Sequence, residues 1–394
     1  MSGAGAPAPR VLHVGKFYPP HMGGIETHLH ALCTELRGFV DVRVLVANED
    51  RNTVREIADG VPVTRLGTLF NIAAAPINAG LARSIRDSGA RIVHAHLPHP
   101  AATIACLASR HRGAFVATYH SDIVRQRIMG AAYTPVLHRF LSRCSAIIAT
   151  SPNYARSSRV LARHQDRLRV IPLGIRPERF DDVDGAQVAE IRRRHGEKIV
   201  LSVGRLIYYK GFEHLIDAMR LVDARLLIVG EGPLRDALGA RVRAAGVGER
   251  VRFLGEIRDR DLVAHYHAAD VFALASTARS EAFGLVQLEA MACGRPVVNT
   301  ALGSGVPYVS VHGQTGLTVP PSNAAALASA LDRLLGDADL RRRFGEAGRA
   351  RVRAEFSLDA VVARTLDLYR ELEPEAFGQD AGHRAAPTRI ARTS

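Results

Sequence analysis

No apolar stretch of the 394-residue chain reaches the roughly 18–20 residues that a bilayer-spanning helix needs. The opening MSGAGAPAPR has neither the basic n-region nor the apolar h-region of an export signal. Export and membrane insertion are therefore not expected, and a cytoplasmic protein is. Cysteine is scarce: Cys33, Cys106, Cys144 and Cys293 lie far apart, with no CxxC pair for zinc or redox chemistry, and read as reduced core thiols. Lysine is scarcer still, with only Lys16, Lys198 and Lys210 among 52 cationic residues. There is no GxxxxGK[ST] P-loop, and GEGPLR at Gly230 lacks the third glycine of a dinucleotide fingerprint, which argues against a hydride-transfer enzyme. Nucleic acid is not an expected partner, because no aromatic-interleaved basic ribbon or helix-turn-helix signal is visible.

What is present describes a globular chain, 47% hydrophobic and 23% charged. At about 100–200 residues per domain its length favours two domains. The net charge is +13, and residues 1–175 hold 21 Arg or Lys against 10 Asp or Glu, a surplus of 11 that leaves +2 for the rest. A basic first half could attract an anionic membrane surface or an anionic acceptor. An arginine skew also arises from genomic base composition alone. The basic, partly apolar stretch Tyr133–Arg143 with Arg156–Arg169 reads either as a peripheral docking surface or as ordinary helices packed on a sheet.

Short β-branched runs alternate with helix-length amphipathic stretches, the pattern of a parallel sheet with crossover helices. Strands are expected at Val11–Gly15, Val42–Val46, Arg91–Ala95, Phe115–Thr118, Ala146–Ala149 and Arg169–Ile171. The pattern then repeats at Ile199–Val203, Arg225–Val229, Val251–Leu254, Val271–Leu274, Pro296–Asn299 and Gly316–Val319. The expected division is an α/β domain over 1–180, a polar linker over 181–197, and a second α/β domain over 198–356. A helix over 357–375 and a disordered tail over 376–394 follow. Open parallel sheets bind ligands beyond the carboxyl ends of their strands, so functional residues should lie in loops just after strands.

Three loops satisfy that condition. Gly23 and Gly24 precede an amphipathic helix after the first strand, where the backbone could approach a diphosphate and the helix N-terminus would favour it; a plain turn and cap fits the same residues. In LSVGRLIYYKG, Gly204 and Arg205 follow a strand and Lys210 precedes a helix, two cations able to neutralise a departing diphosphate or simply to be solvated. In SEAFGLVQLEAMACGRPVV, Phe283, Gly284 and Leu285 would offer backbone N–H groups, while Glu281 and Glu289 supply carboxylates that accept from paired sugar hydroxyls. His120 closes a strand in TYHSD and could orient a sugar hydroxyl or be structural. The run His94, His96, His99 invites a metal reading. It is set aside because no carboxylate lies beside it and strand alternation is expected to split the imidazoles between two faces.

Taken together these segments resemble glycosyltransferase family 4 of the GT-B fold, up to about Leu372. The resemblance rests on the Gly23-Gly24 loop, VGRLIYYKG, LLIVGEGPL, VRFLGEI and, above all, the Glu281 and Glu289 pair within EAFGLVQLEAMACGRPVV. It implies two facing Rossmann-like, doubly wound parallel-sheet domains with a cleft between them, and retaining transfer from a nucleotide sugar without metal or cofactor. By position, Arg205 and Lys210 would bind the diphosphate, Glu289 the ribose and Glu281 the transferred sugar. The backbone around Ile257 would meet the base, and Gly24 and His120 would reach phosphate and sugar. TYHSDIVRQ, IIATSPNYARSS and VIPLGI look most like bacterial enzymes that add mannose to lipid-linked saccharides of surface polysaccharide. That makes a GDP- or UDP-linked sugar the expected donor and a glycan or lipid-linked saccharide the expected acceptor. An epimerase or phosphorylase on the same fold and a non-catalytic saccharide-binding protein are the competing readings.

Overall fold

The computed structural model describes residues 8–21, 23–72, 75–122, 127–257 and 259–377. In chain order the strands are β1 (Arg10–Val14), β2 (Asp41–Ala47), β3 (Val54–Ala58), β4 (Val61–Leu66), β5 (Thr68–Ile72), β6 (Ala75–Asn78), β7 (Ile92–Leu97), β8 (Ala114–Tyr119), β9 (Ala146–Ala149) and β10 (Leu168–Val170). They continue as β11 (Ile199–Val203), β12 (Arg225–Val229), β13 (Val251–Gly255), β14 (Val271–Leu274), β15 (Val297–Thr300) and β16 (Gly316–Val319). Each strand expected from the sequence forms. The strands β3 to β6 were not anticipated. β3 is exposed from Val54 to Ile57 and pairs antiparallel with β4 at a sheet edge, so it carries none of the apolar alternation that marks a core strand.

Two compact units result. The first takes the described residues of Met1–Thr150, Ser158–Pro172 and Leu358–Ser394; the second takes Ser151–Ser157 and Leu173–Ser357. The first sheet has the order β10-β9-β8-β7-β1-β2-β4-β3, and the second β13-β12-β11-β14-β15-β16. Apart from β3, every strand of both sheets pairs in parallel with its neighbours. In the first sheet strand order reverses between β1 and β7, and in the second between β11 and β14. Crossovers leave a parallel sheet in opposite directions at such a point, opening a crevice at the carboxyl ends of the two strands.

The boundaries read from sequence need three corrections. The stretch 181–197 is not a linker: Asp184 caps a helix, Gly185–His195, by accepting from the Ala186 N–H at 2.9 Å. That helix packs on the helix Asp259–Ala268 and buries Ile191, a single apolar position that a count of polar residues conceals. Residues 173–180, grouped above with the first domain, join the second unit, since Leu173 lies in its core with Phe180 against it. Ala376 and Phe377, assigned to the tail, end a short helix, Pro374–Phe377, with the Phe377 ring 5.9 Å from that of Tyr369. The rest of the expected tail lies outside the described residues.

One core of the first unit lies between its sheet and the helices Gly24–Leu36 and Leu358–Leu372. Val11, Val42, Val44, Ile92 and Val116 meet Leu29, Leu32, Leu36, Val361 and Leu366 there. The second sheet is covered on both faces, by Leu215, Ile216, Leu331 and Leu334 on one side and Tyr266, Leu288 and Met291 on the other. This explains its near-continuous apolar strands.

Candidate donor site and histidine cluster

At the switch point of the second sheet, Gly204 and Arg205 follow β11, and Ala275 to Glu281 follow β14. Lys210 Nζ lies 2.6 Å from Glu281 Oε2, and both side chains are about nine-tenths buried. Ser276 Oγ donates to the same carboxylate oxygen at 2.9 Å. Gly211 makes this packing possible: its φ is +66°, and a Cβ there would run into the Ala275 carbonyl. The loop after β11 can therefore fold tightly against the end of β14, carrying Lys210 to Glu281. Arg205 is exposed, and its side chain has no hydrogen bond or ion pair among the described residues.

Gly284, at φ +75°, starts the helix Leu285–Ala292, and no side chain caps that end. The Gln287 N–H bonds the Gly284 carbonyl at 2.9 Å, while those of Leu285 and Val286 meet no side-chain cap at the positive dipole end, where an anion is favoured. Phe283 is buried beside it. Asn299 Nδ2 donates to Gln287 Oε1 at 2.9 Å and to the carbonyls of Val306 and Ser310 at 3.1 Å, which fixes the helix on β15. Glu289 is half-buried and accepts from the Tyr266 hydroxyl at 2.7 Å. Burial raises its pKa, and the hydrogen bond from Tyr266 opposes the rise. Its other carboxylate oxygen has no partner among the described residues. Ile257 lies just beyond β13, two strands from β11, packed against the core.

The structure thus brings Gly204, Lys210 and Glu281 together and places Arg205, Phe283, Gly284, Leu285 and Glu289 on the neighbouring loop and helix. Gly23, Gly24 and His120 belong to the first unit. Neither Gly23 nor Gly24 has positive φ, so backbone conformation does not demand glycine at either position. What Gly24 offers is room, because a Cβ there would meet nothing within 4 Å. Sequence reading missed Ser276 and Tyr266, which support the two glutamates from the loop after β14 and from the helix Asp259–Ala268. No signal in their own segments singled them out.

The histidines of the first unit require a larger correction. Residues i and i+2 of a strand share a face, so His94 and His96 of β7 lie together and their rings stack with centroids 4.7 Å apart. His13 of β1, in register with His94, joins them, and the three place ring nitrogens within 4.8 Å of one another. That spacing could suit a metal. Every nitrogen of the three is nevertheless engaged: His13 Nδ1 with His96 Nε2 at 3.1 Å, His96 Nδ1 with His120 Nε2 at 3.1 Å, and His94 Nδ1 with Tyr369 Oη at 2.6 Å. His94 Nε2 meets Thr118 Oγ1 at 2.7 Å, and His13 Nε2 meets Tyr369 Oη at 3.3 Å. Such a closed set fits neutral imidazoles better than a cation's ligands. His99, at the start of the next helix, stands outside the chain. Burial keeps the rings neutral, lowering His13 to about 3, His28 and His99 to about 4, and His94, His96 and His120 well below the ordinary value.

Two doubly wound parallel-sheet units, the second with a buried cation-carboxylate pair at its switch point, have the architecture of the GT-B fold. Family models for group 1 glycosyl transferases and for glycosyltransferase family 4 match residues 185–351 and 22–179 respectively. The chain is 34% identical over 352 residues to the D-rhamnosyltransferase WbpZ of Pseudomonas aeruginosa, covering 88% of this chain and 92% of that protein. It is 32% identical over 368 residues to the O-antigen chain mannosyltransferase C of Escherichia coli, covering 92% and 98%. Among solved structures, sucrose-phosphate synthase from Thermosynechococcus elongatus superposes with a TM-score of 0.78 at 26% identity, over 93% of this chain and 100% of that one. The chain belongs to glycosyltransferase family 4.

Among the described residues no helix is long and apolar enough to cross a membrane. In the basic stretch of the first unit, Arg143 donates to the His111 carbonyl at 3.0 Å and Arg167 to those of Ser142 and Cys144 at 2.5 and 2.9 Å, so these two charges are spent on the fold.

Proposed function

We propose that the protein is a retaining, metal-independent hexosyltransferase. In this reading it moves mannose, from GDP-mannose in preference, to a lipid-linked or glycan acceptor in surface polysaccharide synthesis. The observation that carries the reading is the Lys210–Glu281 pair, 2.6 Å apart at the switch point of the second sheet. A buried cation held by a carboxylate is pre-organised to meet a second anion without moving. Lys210 and the exposed Arg205 take the diphosphate and stabilise its charge as the glycosidic bond breaks. The N–H groups at Gly284 and Leu285 assist from the helix end. Glu281, anchored by Ser276, holds a hydroxyl of the transferred sugar. Glu289, with one oxygen on Tyr266, keeps the other for the ribose. The departing phosphate serves as base toward the acceptor hydroxyl, so no protein nucleophile is required. The backbone at Ile257 is assigned to the base.

The preference for mannose is supported by the two relatives, named for transfer of D-rhamnose and of mannose, since D-rhamnose is 6-deoxymannose. The exposed arginines of the basic first unit are assigned to peripheral contact with an anionic membrane face. A thermal-shift titration with GDP, UDP, GDP-mannose and a UDP-sugar, beside Glu289→Ala, tests the reading. Selective stabilisation by GDP and GDP-mannose, weakened in the variant, is expected. Selectivity for UDP would change the donor, and a folded protein indifferent to every nucleotide would sink the assignment. Product anomer by NMR and activity in chelator test the retaining and metal-independent parts.

A further inference from the structure

The core-facing positions of β1, β7 and β8 change character along their length. Val11, Ile92 and Val116 pack as apolar residues, and the same face then continues as His13, His94, His96, Thr118 and His120 toward the carboxyl edge. Their hydrogen bonds form one unbranched chain: Thr118, His94, Tyr369, His13, His96, His120. His28, from the helix after Gly24, sets its ring edge-on to His96 and His120, with centroids 6.1 and 5.5 Å away. The outer nitrogen, His120 Nδ1, has no partner among the described residues and is the open end.

A neutral imidazole has one N–H and one lone pair, so all the bonds of such a chain must point the same way. Its closed end decides the direction. Thr118 is 2% exposed, and His94 Nε2 is the one partner found for its hydroxyl among the described residues. If the hydroxyl accepted from His94, its own proton would be buried without an acceptor, which is costly. Thr118 therefore donates to His94 Nε2, His94 Nδ1–H to Tyr369, Tyr369 to His13 Nε2, His13 Nδ1–H to His96 Nε2, and His96 Nδ1–H to His120 Nε2. His120 is left with its proton on Nδ1.

We propose that this chain, held through Tyr369 of the helix Leu358–Leu372, locks His120 as the Nδ1–H tautomer. His120 is then a hydrogen-bond donor to a sugar oxygen rather than a base, and Tyr369 and His96 are positioning residues for transfer. The proposal rests on the reading above only in assigning His120 a sugar to meet; the tautomer itself does not depend on it.

The test is long-range nitrogen–proton NMR on the histidine-labelled full chain, with transfer kinetics and GDP binding measured alongside. The wild type is expected to show His120 protonated at Nδ1. Tyr369→Phe removes both the acceptor for His94 and the donor to His13, so a mixed tautomer at His120 and about a tenfold fall in kcat are expected, with GDP affinity unchanged. His96→Leu should act the same way. His96→Gln, whose amide can still accept from His13 and donate to His120, should restore most activity, which also serves if Tyr369→Phe fails to fold. Protonation at Nε2 in the wild type would overturn the proposal, as would a fall in activity with the tautomer unchanged. So would equimolar Zn²⁺ shifting His13, His94 and His96 together. Absent transfer or GDP binding alongside an Nδ1–H His120 would instead count against the proposed function alone.

Discussion

The switch point of the first sheet is lined with neutral imidazoles, and that of the second with a cation and two carboxylates. Both sheets present carboxyl ends of parallel strands flanked by loops, so the backbone supplies the same crevice twice. The chemistry differs because different positions were used. In the first sheet the polar groups sit on the strands, inside the core, where burial strips their charge. In the second Lys210 and Glu281 sit on the loops past β11 and β14, paired with each other, and Glu289 on the helix that follows. A strand position fixes a group's orientation, while a loop position leaves it able to bind an anion.

Acid should expose that difference most strongly. A histidine in the unfolded chain titrates near 6.5, and His13, His28, His94, His96, His99 and His120 all titrate lower when folded. Below about pH 6.5 the unfolded state takes up protons that the native state refuses, so stability falls as pH falls, by up to about 1.4 kcal/mol per pH unit for each such histidine. Six such groups act together, so the loss steepens as pH falls below 6.5. Amide exchange should therefore accelerate in β1, β7 and β8 ahead of β11 and β14; simultaneous loss would erase the contrast.

Breaking the ion pair comes next. Lys210→Ala leaves Glu281 buried without its cation and should cost about 3–5 kcal/mol in urea unfolding, with transfer lost. Full stability in the variant would mean that the pair is solvated after all. Gly211→Ala should cost about 1–3 kcal/mol from left-handed strain alone, more where the Ala275 carbonyl cannot yield, read by the same unfolding curve. Glu289→Ala should weaken GDP binding by about 1–3 kcal/mol, measured by calorimetry, with little change in fold because the Tyr266 hydroxyl is the one group it leaves bare. Gly24→Ala should be the mildest, within about 0.5 kcal/mol in stability. Any effect on transfer would then report on the open space beside Gly24.

Much of this was legible in the chain itself. Strong β-branched runs gave the two parallel sheets, because strands buried on both faces have no other way to be written. That Lys210 and Glu281 stand in loops just past strands was legible because open parallel sheets place ligand-facing groups there; that the two pair was not. The strands β3 to β6 and the helix Gly185–His195 escaped notice because half-exposed elements carry weak periodicity. The i, i+2 spacing in VHAHL held the signal that His94 and His96 share a face, and it was read the wrong way.

By itself, then, the sequence determined which residue types stand where each strand ends, since hydrophobic period and loop chemistry are local properties. Only the tertiary structure decided who their partners are. Tyr369 reaches His94 across 275 positions and Ser276 reaches Glu281 across five, and nothing local distinguishes the two. Hydrogen bonding and desolvation act through space, and space is assigned by the packing of the whole unit.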